Sequence, residues 1–229
     1  MNPRSRLIAQ CALIAVVGAL VAFLLLVLLH ACLGNAPVQH FDLRVQAGVH
    51  GWESPAVTRV MRTLTFVGSV KAFLPTLTLA VVVLLVIGEK EQGQRLVRKR
   101  QVSAIFGAAI GGAMILNEAF KVYFHRARPK VPWSIGDEHT FSFPSGHSLF
   151  SMVLYGLIAY MVLGRRGRRL RHVLVGIAAV AVVIGIGLSR IYLGMHWPTD
   201  VLAGYLTGAV WLCAVVLIDQ VANPPRLDR

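Results

Sequence analysis

Long apolar runs alternate with short polar connections along this chain, and six of the runs approach or exceed the length needed to cross a bilayer. The first, Leu7 to Leu33, is broken only by Gln10 and His30. The others are Val70 to Gly88, Val102 to about Val122, His147 to Leu163, Val173 to Leu188 and Val201 to Ile218. This pattern predicts an all-α polytopic membrane protein, with six transmembrane helices at about 7–33, 70–88, 102–122, 147–163, 173–188 and 201–218 in one domain over 1–229. The ending Leu29-His30-Ala31-Cys32 has a faint likeness to a lipoprotein cleavage box. The apolar run before it is far longer than a signal's core, so a first span is the better reading.

The connections carry their own patterns. Residues 34–51 form a mixed stretch with little periodicity. Ser54-Pro55 then has the form of an N-cap followed by proline at the first helical position. Beyond it Val57, Val60, Met61 and Leu64 recur at helical spacing, with Thr58, Arg59, Arg62 and Thr63 opposite. That predicts an amphipathic helix in the interfacial plane, serving either to guide lipid or simply as a packed connector. Gly107-x-x-x-Gly111 and Gly204-x-x-x-Gly208 each offer a face for close helix packing.

A mean hydropathy of +0.66 with 56% hydrophobic residues excludes an ordinary soluble protein. In such a protein the net charge of +13 would point to nucleic acid; here the basic residues crowd into short loops, and topology explains them without a nucleic-acid partner. Fourteen of the 23 lysines and arginines fall before the first run, in 89–100, in 165–171 and after the sixth run. All fourteen lie on one side of a six-span layout, which makes that side cytoplasmic, places both termini there and assigns the chain to the cytoplasmic (inner) membrane. The exceptions concentrate at 121–130 and 190, on the outward side, and call for another reason. Cys11, Cys32 and Cys213 lie in or beside apolar runs; no disulfide framework and no metal-type Cys/His spacing is visible.

Three polar clusters meet that need. In the first, Lys121 lies near the outer boundary of its span and Arg128 follows seven residues later, two turns on and on the same helical face until Pro129 ends it. Two permanent cations on one face suit a polyanion, although snorkelling to lipid phosphate explains them too. Arg126 and Lys130, off that face, fit snorkelling better. The second cluster is Pro144-Ser145-Gly146-His147 at a helix start, where unpaired N–H groups and the helix dipole form an anion cradle beside an imidazole, and a glycine admits close approach. Plain capping is the competing account. The third is Ser189-Arg190-x5-His196-x3-Asp200. Trp197-Pro198 starts a helix and puts Asp200 in its first turn, where a carboxylate can hold one imidazole nitrogen as N–H and leave the other free to attack.

Together these outward ends supply Lys121, Arg128, Arg190, a helix N-terminus and two histidines. Phosphoryl transfer asks for little more: donors for the phosphate oxygens, an in-line nucleophile and an acid for the leaving oxygen. No carboxylate cluster for a metal is apparent, so the three cations would take the place of the metal and no cofactor is expected.

The three motifs K-x6-R-P, P-S-G-H and S-R-x5-H-x3-D stand complete over 121–200, and by them the chain resembles the type 2 phosphatidic acid phosphatases, membrane lipid phosphatases that share a site with vanadium haloperoxidases. The layout is also similar to the bacterial phosphatidylglycerophosphate phosphatase B type. The resemblance implies that His196 is the nucleophile forming a phosphohistidine, that Asp200 orients it, and that His147 protonates the leaving group and then activates water. It implies that Lys121, Arg128, Arg190, Ser145 and the Gly146 N–H bind phosphate, with Ser189 joining them. Glu118, one turn before Lys121 with Asn117, is expected to be buried in an ion pair. His125 and His139 read as loop residues without chemistry.

The expected activity is hydrolysis of a lipid phosphomonoester or diphosphate at the outer membrane face, with undecaprenyl pyrophosphate, phosphatidylglycerophosphate and phosphatidic acid as candidate substrates. A phosphotransferase using the same histidine is the alternative. A non-enzymatic anion-binding or transport protein is a third, disfavoured because no internal repeats or mid-membrane broken helices are visible.

Overall fold

The computed structural model describes residues 3–69, 95–135, 140–163 and 169–222, with 71, 72, 75, 76, 78, 79 and 82. The expected second span falls mostly outside these residues, as do 89–94, 164–168 and His139. All regular structure among the described residues is helical. The helices are α1 (Pro3–Leu33), α2 (Ala36–His50), α3 (Pro55–Val67), α4 (Arg95–Phe124), α5 (Gly146–Leu163), α6 (Arg169–Tyr192) and α7 (Pro198–Ala222). Five of them, α1 and α4 to α7, contain stretches long and apolar enough to cross a membrane.

The last helix is the hub: α7 packs against α1, α4, α5 and α6 and is touched by α2. Its lower half joins α4 and α5 in a cluster that includes Phe106, Ala109, Leu149, Leu154, Leu157 and Trp211. There the Trp211 indole donates to the Ala109 carbonyl at 2.8 Å. On the other side, Ala203 meets Ala22 and Leu26 of α1 with Phe120, Phe124 and Phe143. Meanwhile α1 leaves Ile8, Leu13, Leu20 and Leu24 exposed, and α6 leaves Leu174, Ile177, Val180 and Ile184 exposed. Long helices with apolar outer faces and paired backbones are what hydrocarbon selects.

Three expectations change and one element forms as expected. Residues 36–50 are not a featureless connection but the helix α2, whose buried positions Asp42, Gln46 and Val49 follow helical spacing. The α3 helix forms as predicted, the Ser54 hydroxyl accepting from the Val57 N–H at 3.2 Å, and it packs against α6. Of the two glycine pairs, Gly204 and Gly208 are used: a Cβ at Gly204 would lie 2.5 Å from the Ser145 carbonyl oxygen, and one at Gly208 2.8 Å from that of Leu149. Gly107 and Gly111 face no described atom within 4 Å. The close approach on α4 is at Gly112, against the Trp211 ring. Finally, α4 stops at Phe124, before His125 at φ 50°, rather than running on to Pro129.

Candidate functional site

Four helix ends converge. The C-termini of α4 and α6 and the N-termini of α5 and α7 meet at one end of the bundle, and the connections between them are stitched by backbone bonds. The Ser145 N–H donates to the Asp200 carbonyl at 3.0 Å. The Met195 and His196 N–H groups donate to the Arg190 carbonyl at 3.0 and 3.2 Å. The packing of Gly204 on Ser145 completes this join. Clusters distant in sequence are thereby brought to one place.

At its centre is His196, 2% exposed, in the tight connection after α6. Its Nδ1 lies 3.6 Å from Asp200 Oδ2 and 3.4 Å from the Ser142 hydroxyl, which itself donates to Asp200 Oδ2. Its Nε2 lies 3.3 Å from Arg128 Nη1. A guanidinium can only donate, so Nε2 carries the lone pair and the proton sits on Nδ1, toward the carboxylate and hydroxyl. Burial is the main cause that pushes the His196 pKa down, to about 4. The charges of Arg190 and Arg128 act the same way, against the raising effect of Asp200. The imidazole is therefore neutral near pH 7.

Asp200, fully buried in the first turn of α7, accepts the Trp197 N–H at 2.9 Å, so it caps its own helix while facing the histidine. Arg128 is not on the α4 face as expected; it lies in the segment beyond. It is fixed by donating to the Thr140 carbonyl at 3.0 Å, the Thr140 hydroxyl at 2.8 Å and the Met195 carbonyl at 2.7 Å. Arg190 is 4% exposed; its Nη1 donates to the Thr65 hydroxyl at 2.6 Å and its Nε meets no acceptor among the described residues. His147, in the first turn of α5, is within the electrostatic reach of Arg190, His196, Lys121 and Arg128. Lys121 in turn feels Arg128 and Arg190. Three cations and two imidazoles thus share one field, and Arg190, buried with no carboxylate paired to it among the described residues, invites an anion. Ser145 and Gly146 are buried at the start of α5, Ser145 Oγ accepting from the Ser148 hydroxyl at 3.1 Å.

Other expected roles are redistributed. Ser189 is buried with its hydroxyl donating to the Ile186 carbonyl at 2.6 Å, inside its own helix rather than toward the cations. Glu118 is exposed rather than buried and accepts from the Asn117 amide at 2.8 Å. Arg126, assigned to snorkelling, is instead drawn inward. It donates to Asp200 Oδ1 at 2.5 Å, to the Thr199 hydroxyl at 2.7 Å and to Asp42 Oδ2 at 2.8 Å. Sequence reading missed Arg126, Asp42, Ser142 and Thr199 as parts of this site. The one available signal for Arg126 was that it belongs to a basic run on the outward side, where charge needed explaining.

The model of the PAP2 superfamily matches residues 103–224. The chain is 29% identical over 203 residues to phosphatidylglycerophosphatase B of Bacillus subtilis strain 168, covering 86% of this chain and 93% of that protein. It is 27% identical over 120 residues to an undecaprenyl-diphosphatase of Sulfolobus acidocaldarius, covering 50% of this chain and 53% of that one. The fold is similar to the crystal structure of the transmembrane PAP2-type phosphatidylglycerolphosphate phosphatase from Bacillus subtilis, with a TM-score of 0.76, 26% identity, and coverage of 91% of this chain and 98% of that one.

Proposed function

The chain belongs to the PAP2 superfamily, and from that premise we propose that it is an integral-membrane lipid phosphatase that works through a phosphohistidine on His196. One observation supports this most directly. The His196 ring turns an unprotonated Nε2 toward Arg128, while Asp200 and Ser142 lie against its other nitrogen.

In the first step the Nε2 lone pair attacks phosphorus in line. The bond from phosphorus to the leaving oxygen breaks, and protonated His147 gives that oxygen its proton. Lys121, Arg128, Arg190, the Ser145 hydroxyl and the Gly146 N–H hold the remaining phosphoryl oxygens and the charge that spreads over them. Asp200 steadies the Nδ1–H as charge builds on the ring. Water then attacks the phosphohistidine, His147 takes its proton, the P–N bond breaks, and inorganic phosphate leaves with His196 restored. The substrate is a lipid phosphomonoester or diphosphate, with phosphatidylglycerophosphate and undecaprenyl pyrophosphate favoured by the relatives and phosphatidic acid as a third candidate. The site faces the outer side of the cytoplasmic membrane, because the basic loops that mark the cytoplasmic side lie at the opposite ends of the spans.

The test is phosphate release by the purified full chain across a panel of polyprenyl and glycerolipid phosphates. His196→Ala is expected to reduce turnover by about 10³-fold or more while the protein stays folded, and vanadate is expected to inhibit the wild type. Wild-type turnover in His196→Ala would refute the nucleophile. Consumption of lipid phosphate that appears only on an added acceptor, with none free, would make the chain a phosphotransferase.

A further inference from the structure

The mechanism above leaves Arg126 and Asp42 without a part. Asp42 lies on α2, 1% exposed, outside the segment that the superfamily model matches. Its Oδ1 accepts the Thr199 N–H at 3.0 Å, and its Oδ2 accepts the Thr199 hydroxyl at 2.7 Å and Arg126 Nη2 at 2.8 Å. From the other side of the same guanidinium, Nη1 donates to Asp200 Oδ1. One arginine therefore lies between two buried carboxylates, 84 and 74 residues away in sequence.

Holding α2 against α7 does not call for such a trio. Apolar side chains would serve at least as well, since burying charges costs desolvation that their attraction only partly returns. What the trio does provide bears on Asp200. With Oδ1 occupied by Arg126, the carboxylate plane is fixed and Oδ2 is left for Ser142, the Trp197 N–H and His196 Nδ1. An arginine paired to Asp200 alone would cancel the charge that the imidazole N–H relies on. The Asp42 carboxylate restores a net negative cluster on the Nδ1 side of the ring, while Arg128 stands on the Nε2 side.

We propose that Asp42 is a positioning residue for phosphoryl transfer: through Arg126 it sets the orientation and effective charge of Asp200, so that His196 keeps its Nδ1–H and presents Nε2. This rests on the catalytic reading of His196 and Asp200 given above. The other charged groups acting on the ring are Arg128 from the segment after α4, Arg190 from α6 and His147 from α5.

The experiment measures kcat, KM and the pH dependence of kcat for the purified full chain on phosphatidic acid and phosphatidylglycerophosphate in mixed micelles. The variants are Asp42→Asn, Asp42→Glu, Arg126→Gln, the double variant Asp42→Asn with Arg126→Gln, and His196→Ala. Asp42→Asn is expected to lower kcat about tenfold or more with KM changed less than about threefold. It should also move the acid limb of kcat to lower pH, because the ring loses negative charge on its Nδ1 side. The double variant is expected to lose no more than Arg126→Gln alone, since both act through one arginine. Asp42→Glu keeps the charge and is expected to keep the wild-type acid limb, which holds the test open should Asp42→Asn fail to fold. Wild-type kcat in Asp42→Asn, or a loss that only tracks folded protein with the acid limb unmoved, overturns the proposal. If His196→Ala is inactive while Asp42→Asn is fully active, this inference alone falls. If His196→Ala is active, the catalytic reading falls and takes this one with it.

Discussion

As the proposed nucleophile His196 must be both hidden and reactive, and its two nitrogens divide those demands. Burial and the neighbouring arginines keep the ring neutral, so its lone pair is not lost to a proton at ordinary pH; Asp200 and Ser142 keep that lone pair on the correct atom. The sign of the pH effect follows. In the unfolded chain this histidine titrates near 6.5, and in the folded chain near 4. Between those values the unfolded chain binds a proton that the folded one refuses, so this residue's contribution to stability, full above about 6.5, is lost as pH falls toward about 4. The expected outcome is a Tm that drops on acidification through this window in the wild type and drops less in His196→Ala. Correspondingly, kcat should persist below pH 6.5, where an exposed histidine nucleophile would already be failing; titrating Tm and kcat over the same buffers checks both.

Helices contribute to this site through their ends and through single close contacts. Gly204 is the clearest case, because a Cβ there would press on the Ser145 carbonyl at 2.5 Å and on Ser148 Cβ at 2.8 Å, both at the helix start proposed as the phosphate cradle. Gly204→Ala is expected to cost about 1–3 kcal/mol of stability and to lower kcat with it, whereas Gly107→Ala, whose Cβ would meet no described atom within 4 Å, should leave both unchanged; thermal unfolding and phosphate release on the two variants decide. The same scale shows what was legible. Apolar run length found α1 and α4 to α7, because in hydrocarbon an apolar surface needs no partner and length alone signals a span. It missed α2 because that helix inverts the usual pattern: Asp42 and Gln46 are buried while Phe41 and Leu43 are exposed. It misplaced Arg126 for a related reason. Helical-face arithmetic was carried past Phe124, where the backbone turns through His125, so the residue taken as pointing outward points in. That His147, Arg128, Arg190, His196 and Asp200 come together was legible in the spacing of three short motifs, while the residues holding them are chosen by contacts between distant segments.

In the whole molecule, charge is separated along the bundle. Among the described residues the site end gathers Lys121, Arg126, Arg128 and Arg190, and the two buried carboxylates there, Asp42 and Asp200, both pair with Arg126. In the proposed mechanism the phosphate is held by guanidinium, ammonium and N–H groups rather than by a metal. Lipid phosphate hydrolysis is therefore expected to be unchanged by excess EDTA; loss of activity restored by a divalent cation would contradict this account, and phosphate release with and without chelator tests it.

The peptide of Ser145 is gripped from both sides by α7, its N–H by the Asp200 carbonyl and its oxygen by the bare face of Gly204. The proposed phosphate seat and the proposed nucleophile thus take their spacing from one helix, so a disturbance at Gly204 should loosen phosphate binding and spoil the line of attack together.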